Sequence, residues 1–307
     1  MRRTPAARAD GTRAAPAALV TMTDKGDIWL ITNAGSGSVH EELLATLHET
    51  CARAELCIAE HTEFPSDDLP KPEEIARRGI ETVLVLGGDG TINAAISALQ
   101  GWEGAILPLP GGTQNLLTKR LHGDAEVDAV VQAFARGQAS RRRPKILRSS
   151  KGLALAGLLI GPGTSWNAVR EAMRDGDAGA MLSAAGTALD GTTNKPPVRI
   201  ADPEAGDRDG YPILELVPHA EGMDIAAYHA RNGADFVAQT WALLRQEFRD
   251  GPHETYGPFD RVVLASTGEE PLDLLLDGEP AHGDARETVT LETCPVDLIA
   301  TDPGDDA

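Results

Sequence analysis

"VLVLGGDGTINAAISAL", residues 83–99, decides how the chain is read. An apolar run ends in Gly87, Gly88, Asp89 and Gly90 and passes without a spacer into a segment of helical periodicity. Strand, tight glycine turn and helix in that order is the repeating unit of a parallel sheet with helices on its faces. The turn then lies at the carboxyl end of the strand, where such sheets bind ligands. Glycines let the backbone approach a ligand closely, and the first turn of a helix offers N–H groups to an anion. Asp89 fits less easily, because a carboxylate beside phosphates repels them unless a cation lies between or it accepts a proton. A bare Gly-Asp-Gly is also an ordinary turn, so its surroundings must decide.

Short apolar runs alternate with amphipathic segments from Asp27 onward. "DIWLITN" (27–33), "ELCIAEH" (55–61), "ETVLVLG" (81–87) and "GAILPLP" (104–110) read as strands, with helices at 39–53, 72–79, 114–121 and 125–136 between and after them. This pattern predicts an α/β fold with a doubly wound parallel sheet over 27–137. Beyond residue 138 the pieces become strand-like and turn-separated, which predicts a second, β-rich domain over 138–301, with helices at 165–174, 178–188 and 234–248. Residues 1–26 read as a disordered extension or an upstream start before Met22, and 302–307 as an acidic tail. At 307 residues, two domains are the natural division, since one core usually serves ~100–200.

Charge narrows the possible partners. The chain carries 28 basic and 47 acidic residues, a net −19, which repels nucleic acid over most of its surface. One segment reverses the sign: "RRRPKILRSSK" (141–151) holds six basic residues and no acid. Its ordinary reading is a solvated linker edge; the more specific one is a patch for phosphates or anionic headgroups. No stretch approaches the ~20 apolar residues of a membrane span. Cys51, Cys57 and Cys294 have neither metal-ligand nor disulfide-framework spacing, so reduced thiols in a cytoplasmic protein are expected.

Two further stretches carry chemistry. "PLPGGTQNLLTKRLHG" (108–123) is a second strand, glycine turn and helix start, in which Thr113 and Asn115 can cap the helix or bond a ligand. "LLLDGEPAHGD" (274–284) sets Asp277 and Glu279 around a glycine between strands, which also suits a plain hairpin. Together "GGDGT" (87–91), "PGGTQN" (110–115), "LDGEP" (276–280) and the "NAGSG" turn (33–37) resemble the diacylglycerol kinase catalytic family, in order and spacing over most of 27–300. Two positions depart from that pattern: Ala34 replaces a proline, and Leu116 and Leu117 stand where many relatives have Asp-Phe.

The resemblance implies ATP surrounded by Asn33, Ser36, Gly37, Gly87, Gly88, Gly90, Thr91, Thr113 and Asn115. It implies an acidic cluster of Asp89, Asp277 and Glu279 for Mg²⁺ and proton abstraction; Asp277 is the first choice of base, with Glu279 positioning it or binding metal and Asp89 holding Mg²⁺ or sharing the proton, and the sequence leaves open which carboxylate is the base. The expected reaction is transfer of the γ-phosphoryl group to a lipid hydroxyl, diacylglycerol to phosphatidate, by an enzyme in peripheral contact with the membrane through Arg141–Lys151. Sphingosine, ceramide or a polyprenol would serve the same chemistry, and the oligomeric state stays open, a homodimer included. An NAD kinase shares the Gly-Gly-Asp-Gly-Thr turn, but "TQNLLTK" stands where its Asn-Glu step would follow. A non-catalytic nucleotide or lipid sensor would not need three separated acids. Walker, zinc-hydrolase and serine-hydrolase signatures are absent from the sequence.

Overall fold

The computed structural model describes residues 26–36, 39, 41–161, 196–228 and 253–302. The extension before residue 26, Gly37, the helices expected at 165–174, 178–188 and 234–248, and the tail beyond 302 lie outside the described residues.

The first sheet grows from β3 (Thr82–Gly87), whose six residues are all buried. Its neighbours are β1 (Asp27–Thr32) and β4 (Ala105–Pro110), both parallel to it, and β2 (Cys57–Glu63) pairs with β1 at the edge. Burial on both faces explains the unbroken apolar run, since alternate side chains enter two different cores. Val83 and Val85 face one core with Trp29 and Ile31, while Leu84 and Leu86 face the other with Ile28 and Leu30. The first core is covered by α2 (Pro72–Arg77), α3 (Asp89–Ala98) and α4 (Leu116–His122) through Ile75, Ile92, Ile96, Leu117 and Leu121. The second is covered by α1 (Glu41–Arg53) and α5 (Val127–Ala135) through Leu47, Cys51, Val130, Val131 and Phe134.

The division expected at 137/138 is crossed twice. β5 (Ser140–Arg142) and the last strand, β18 (Asp297–Ala300), both belong to the first sheet, whose order is β2-β1-β3-β4-β18-β5. β18 runs parallel to β4, and β5 antiparallel to β18. The first core also takes in Ile146, Leu153, Leu155, Cys294 and Val296, so it continues into the β-rich half. The pairing of β18 with β4 ends at Leu298 and Ile106, and Pro108, two residues on, gives its carbonyl to His122 at 3.0 Å.

The β-rich half is two six-stranded antiparallel sheets packed over a shared core. One contains β6 (Lys145–Ser149), β7 (Gly152–Ala154), β9 (Val198–Asp202), β10 (Glu204–Ala205), β14 (Arg261–Ser266) and β17 (Arg286–Thr293), in the order β10-β9-β14-β17-β6-β7. The other contains β8 (Leu158–Gly161), β11 (Ile213–His219), β12 (Gly222–Tyr228), β13 (His253–Phe259), β15 (Asp273–Leu276) and β16 (Glu279–His282), in the order β13-β12-β11-β8-β15-β16. Alternate residues such as Leu214, Leu216 and Ile225 from one sheet meet Ile200, Val262 and Leu264 from the other.

Candidate functional site

Adjacent parallel strands place their following turns side by side, and the turns after β1, β3 and β4 form one wall. Asn33 N–H bonds Leu86 O at 3.1 Å, and Gly111 N–H bonds Gly87 O at 3.1 Å. Asn33 Nδ2 donates to Thr91 Oγ1 at 2.9 Å, and Gly88 N–H to Ser36 Oγ at 3.1 Å. The second and third turns touch backbone to backbone: a methyl group on Gly112 would lie 2.6 Å from Gly88 Cα, and one on Gly111 2.8 Å from Gly87 N. Asn115, at φ 55°, closes the third turn on itself, accepting Gly112 N–H at 2.7 Å and donating to Gly112 O at 2.9 Å.

Asp89 is buried and its carboxylate faces the next helix rather than open solvent. Leu116 N–H donates to Oδ2 at 3.1 Å and Leu117 N–H to Oδ1 at 3.0 Å. It thus caps α4 from a different βα unit. Burial pushes its carboxyl pKa above the usual range, and these backbone donors oppose the rise. Leu116 and Leu117, where the resembled family often carries Asp-Phe, are themselves buried and contribute their amides to this bond pair.

Across the cleft, the hairpin of β15 and β16 turns through Asp277 and Gly278, at φ 48° and 87°. Two consecutive left-handed residues make the tight turn that Asp-Gly suits. The buried Asp277 carboxylate accepts N–H bonds from Leu155 at 2.6 Å, Ala156 at 2.7 Å and Gly157 at 3.0 Å, in the connection between β7 and β8. Burial raises its pKa to about 6; the donors from Leu155 and Ala156 pull it down, and the charge of Asp89 pushes it up. Glu279 is exposed, and its side chain lies over α3, 3.7 Å from where a methyl group on Gly90 would sit.

These elements enclose a cleft of about 300 Å³. Of the residues expected at the site, Asn33, Ser36, Gly88, Asp89, Gly90, Thr91, Thr113, Asp277 and Glu279 line it. Gly87 and Asn115 stand behind the wall they shape, and Gly37 lies outside the described residues. Sequence reading passed over Phe64 and Gln114, which also line the cleft. Gln114 lay inside a quoted motif, and its amide reaches Gly278 on the opposite wall. Phe64 belongs to no motif; its signal is its place just past the carboxyl end of β2.

Glycine backbone and the hydroxyls of Ser36, Thr91 and Thr113 make a wall that suits a polyphosphate. The three acids expected as a Mg²⁺ cluster, Asp89, Asp277 and Glu279, share this cleft without forming a preassembled metal site. Among the described residues no three acids, histidines or cysteines are grouped to hold a metal, and the oxygens of Asp89 and Asp277 accept backbone N–H bonds instead. The basic run lies in β5, β6 and the turn after β6, and none of its residues lines the cleft. Arg143 pairs with Asp297, Arg148 with Glu292 at 2.7 Å, and Lys145 donates to Thr293 at 3.1 Å. Cys51, Cys57 and Cys294 are free thiols. No helix among the described residues is long and apolar enough to cross a membrane.

Comparison with known proteins agrees with this geometry. Residues 27–143 match the model of the diacylglycerol kinase catalytic domain. Over 74 residues the chain is 38% identical to a Streptococcus pneumoniae serotype 4 (strain ATCC BAA-334 / TIGR4) protein named "Putative lipid kinase"; the match covers 23% of this chain and 24% of that protein. The crystal structure of a diacylglycerol kinase from Bacillus anthracis str. Sterne superposes with a TM-score of 0.59 at 15% identity, covering 90% of this chain and 97% of that one. A second structure from the same strain gives 0.61 at 17% identity, covering 91% and 99%. At these identities the structural likeness is one of fold.

Proposed function

We propose that the protein is a lipid kinase that transfers the γ-phosphoryl group of ATP to a lipid hydroxyl, with diacylglycerol as acceptor and phosphatidate as product; the match of residues 27–143 to the diacylglycerol kinase catalytic domain supports this reading. The observation that carries this reading is the meeting, in one cleft, of the glycine turns of the parallel sheet with the Asp277 turn of the β-rich half. The first offers backbone and hydroxyl groups to phosphates, and the second offers a carboxylate to the acceptor.

Phosphoryl transfer asks the protein chiefly for alignment and for a group that takes the hydroxyl proton. In this reading the ATP phosphates lie along Ser36, Gly88–Thr91 and Thr113. Asp277 takes the proton: with its pKa raised to about 6 it is ionised at neutral pH, yet more basic than an ordinary aspartate. The three N–H donors on its oxygens keep it oriented. Glu279 borders the same space from the exposed side and helps place the hydroxyl. Asp89 acts on the site through α4. Mg²⁺ would be held chiefly by the ATP phosphates and would neutralise their charge, since no group of three metal-ligating side chains is placed among the described residues to hold it by itself.

A lipid acceptor has to be met at a membrane surface, so the proposal includes a cytoplasmic protein in peripheral contact with it. The run 141–151 remains its best candidate for that contact, since it holds six basic residues and no acid and none of them lines the cleft.

Incubating the purified chain with γ-labelled ATP, total membrane lipid and, separately, NAD tests the reading. Label in a lipid phosphate, identified by mass spectrometry and lost in Asp277→Asn, is the expected result. Label in NAD and not in lipid would replace it with an NAD kinase, and nucleotide binding without transfer would replace it with a sensor.

A further inference from the structure

The 155–157 segment that holds Asp277 must itself be held. Gly157 O takes the Asp277 N–H at 3.1 Å, while the carbonyls before it need partners elsewhere. Leu155 shows the arrangement: its N–H donates to Asp277 Oδ2 at 2.6 Å, and its carbonyl accepts Arg120 Nη1 at 2.9 Å. The same guanidinium reaches Lys145 O at 3.0 Å and Pro218 O at 3.3 Å, so one side chain from α4 ties together β6, the β7–β8 connection and β11. Asn93 on α3 adds a second tie, donating to Leu153 O at 2.7 Å.

From this geometry we infer that Arg120 is a positioning residue for Asp277: it fixes the segment whose N–H groups aim and charge-stabilise that carboxylate. The inference rests on the proposed role of Asp277 as proton acceptor. Arg120 lies on the helix whose first amides are bound by Asp89, so the glycine turns and the Asp277 turn are joined through α4. A planar fork that meets three carbonyls in fixed directions is work for arginine and not for lysine. Removing it loosens donors that favour the ionised carboxylate, which raises the pKa of Asp277. The charge that bears on Asp277 is that of Asp89 on α3; Glu279 on β16 lines the same cleft, and Arg120 on α4 reaches the carbonyl of Leu155 rather than the carboxylate.

Two variants separate geometry from charge. Arg120→Met removes both, whereas Arg120→Lys keeps the charge and loses the fork. In both, amide hydrogen exchange at Leu155, Ala156 and Gly157 should quicken by ~10-fold or more, while Leu116 and Leu117, bound to Asp89, keep their wild-type protection. The acidic limb of the kcat profile, set by Asp277, should move upward by roughly half a unit or more, with KM for ATP within about 2-fold of wild type. Lower turnover with an unmoved limb would overturn the assignment and leave Arg120 a merely structural tie. So would unchanged exchange at 155–157 in both variants. Absence of phosphoryl transfer by the wild type would sink the kinase reading, yet exchange would still decide whether Arg120 holds the segment.

Discussion

Gly112→Ala and Gly88→Ala, in neighbouring turns of the cleft wall, should have opposite consequences for stability. A methyl group on Gly112 would stand 2.6 Å from Gly88 Cα and 3.2 Å from Asn115 Oδ1. Carbon atoms settle at ~3.5–4.0 Å, so the two turns must part by about 1 Å, and backbone cannot swing aside as a long side chain does. Parting them stretches Gly111 N–H to Gly87 O, now 3.1 Å, and Gly112 N–H to Asn115 Oδ1, now 2.7 Å. Overpacking of this kind costs ~1–3 kcal/mol and a weakened hydrogen bond about 1 more, which together lower Tm by roughly 4–10 °C. A methyl group on Gly88 meets Gly112 Cα at 3.5 Å and Ser36 Oγ at 3.8 Å, both ordinary contacts. Its φ of −79° and ψ of 175° suit alanine as well as glycine. Gly88→Ala should therefore leave Tm unchanged or raise it slightly, because alanine restricts the unfolded chain by ~0.4–1 kcal/mol. Thermal unfolding of the two variants beside wild type is the assay. Equal Tm values, or a larger loss for Gly88→Ala, would refute the claim that close approach of the turns, rather than motif membership, sets the need for glycine.

Other perturbations reach the buried ionisable groups. Asp277→Asn should lower kcat by ~100-fold or more with KM for ATP preserved, and the acidic limb near 6 should vanish from the pH profile. The folded pKa of Asp277 lies above that of an unfolded aspartate, so its stabilising contribution is full below about 4 and lost as pH rises to about 6; in urea titrations Asp277→Asn should flatten that fall. Asp89→Asn can satisfy one of the two α4 amides and turns an NH₂ toward the other, a loss of ~1–3 kcal/mol with faster exchange at Leu116 or Leu117. His122 has the opposite sign: burial lowers its pKa to about 4, its Nε2 meets Pro108 O, and its Nδ1 accepts Thr301 N–H at 3.3 Å. Its contribution is full above the unfolded value near 6.5 and lost as pH falls to about 4, on the order of 3 kcal/mol, and His122→Gln should remove that window from the stability profile.

What the sequence disclosed follows the range of the interactions involved. The strand and glycine turn at 83–91 are local, and the run buried on both faces is visible in its composition, so the α/β half and the site turns were legible. β18 fell within the region read as the β-rich domain because Asp297 and Leu298 pair with Ala105 and Ile106, 192 residues away, and four residues carry no periodicity that could reveal it. Asp89 was read as a metal ligand because Asp in a glycine turn has the same chemistry whether it faces a cation or a helix; the amides of Leu116 and Leu117 lie in the next βα unit, and only folding brings them to it. Arg120 and Phe64 carried no motif at all: one acts through backbone carbonyls, which any sequence supplies, and the other through its position at a strand end.

Hydrogen exchange of the full chain with and without Mg·ATP is the most direct test that this cleft is where the nucleotide sits. Protection should appear at the amides of 88–91 and 112–114, the walls of the cleft, before any lipid is added. Protection confined to the β-rich half, or to the separate cavity between α1 and α5 lined by Arg53 and Arg136, with the glycine turns unchanged, would contradict it.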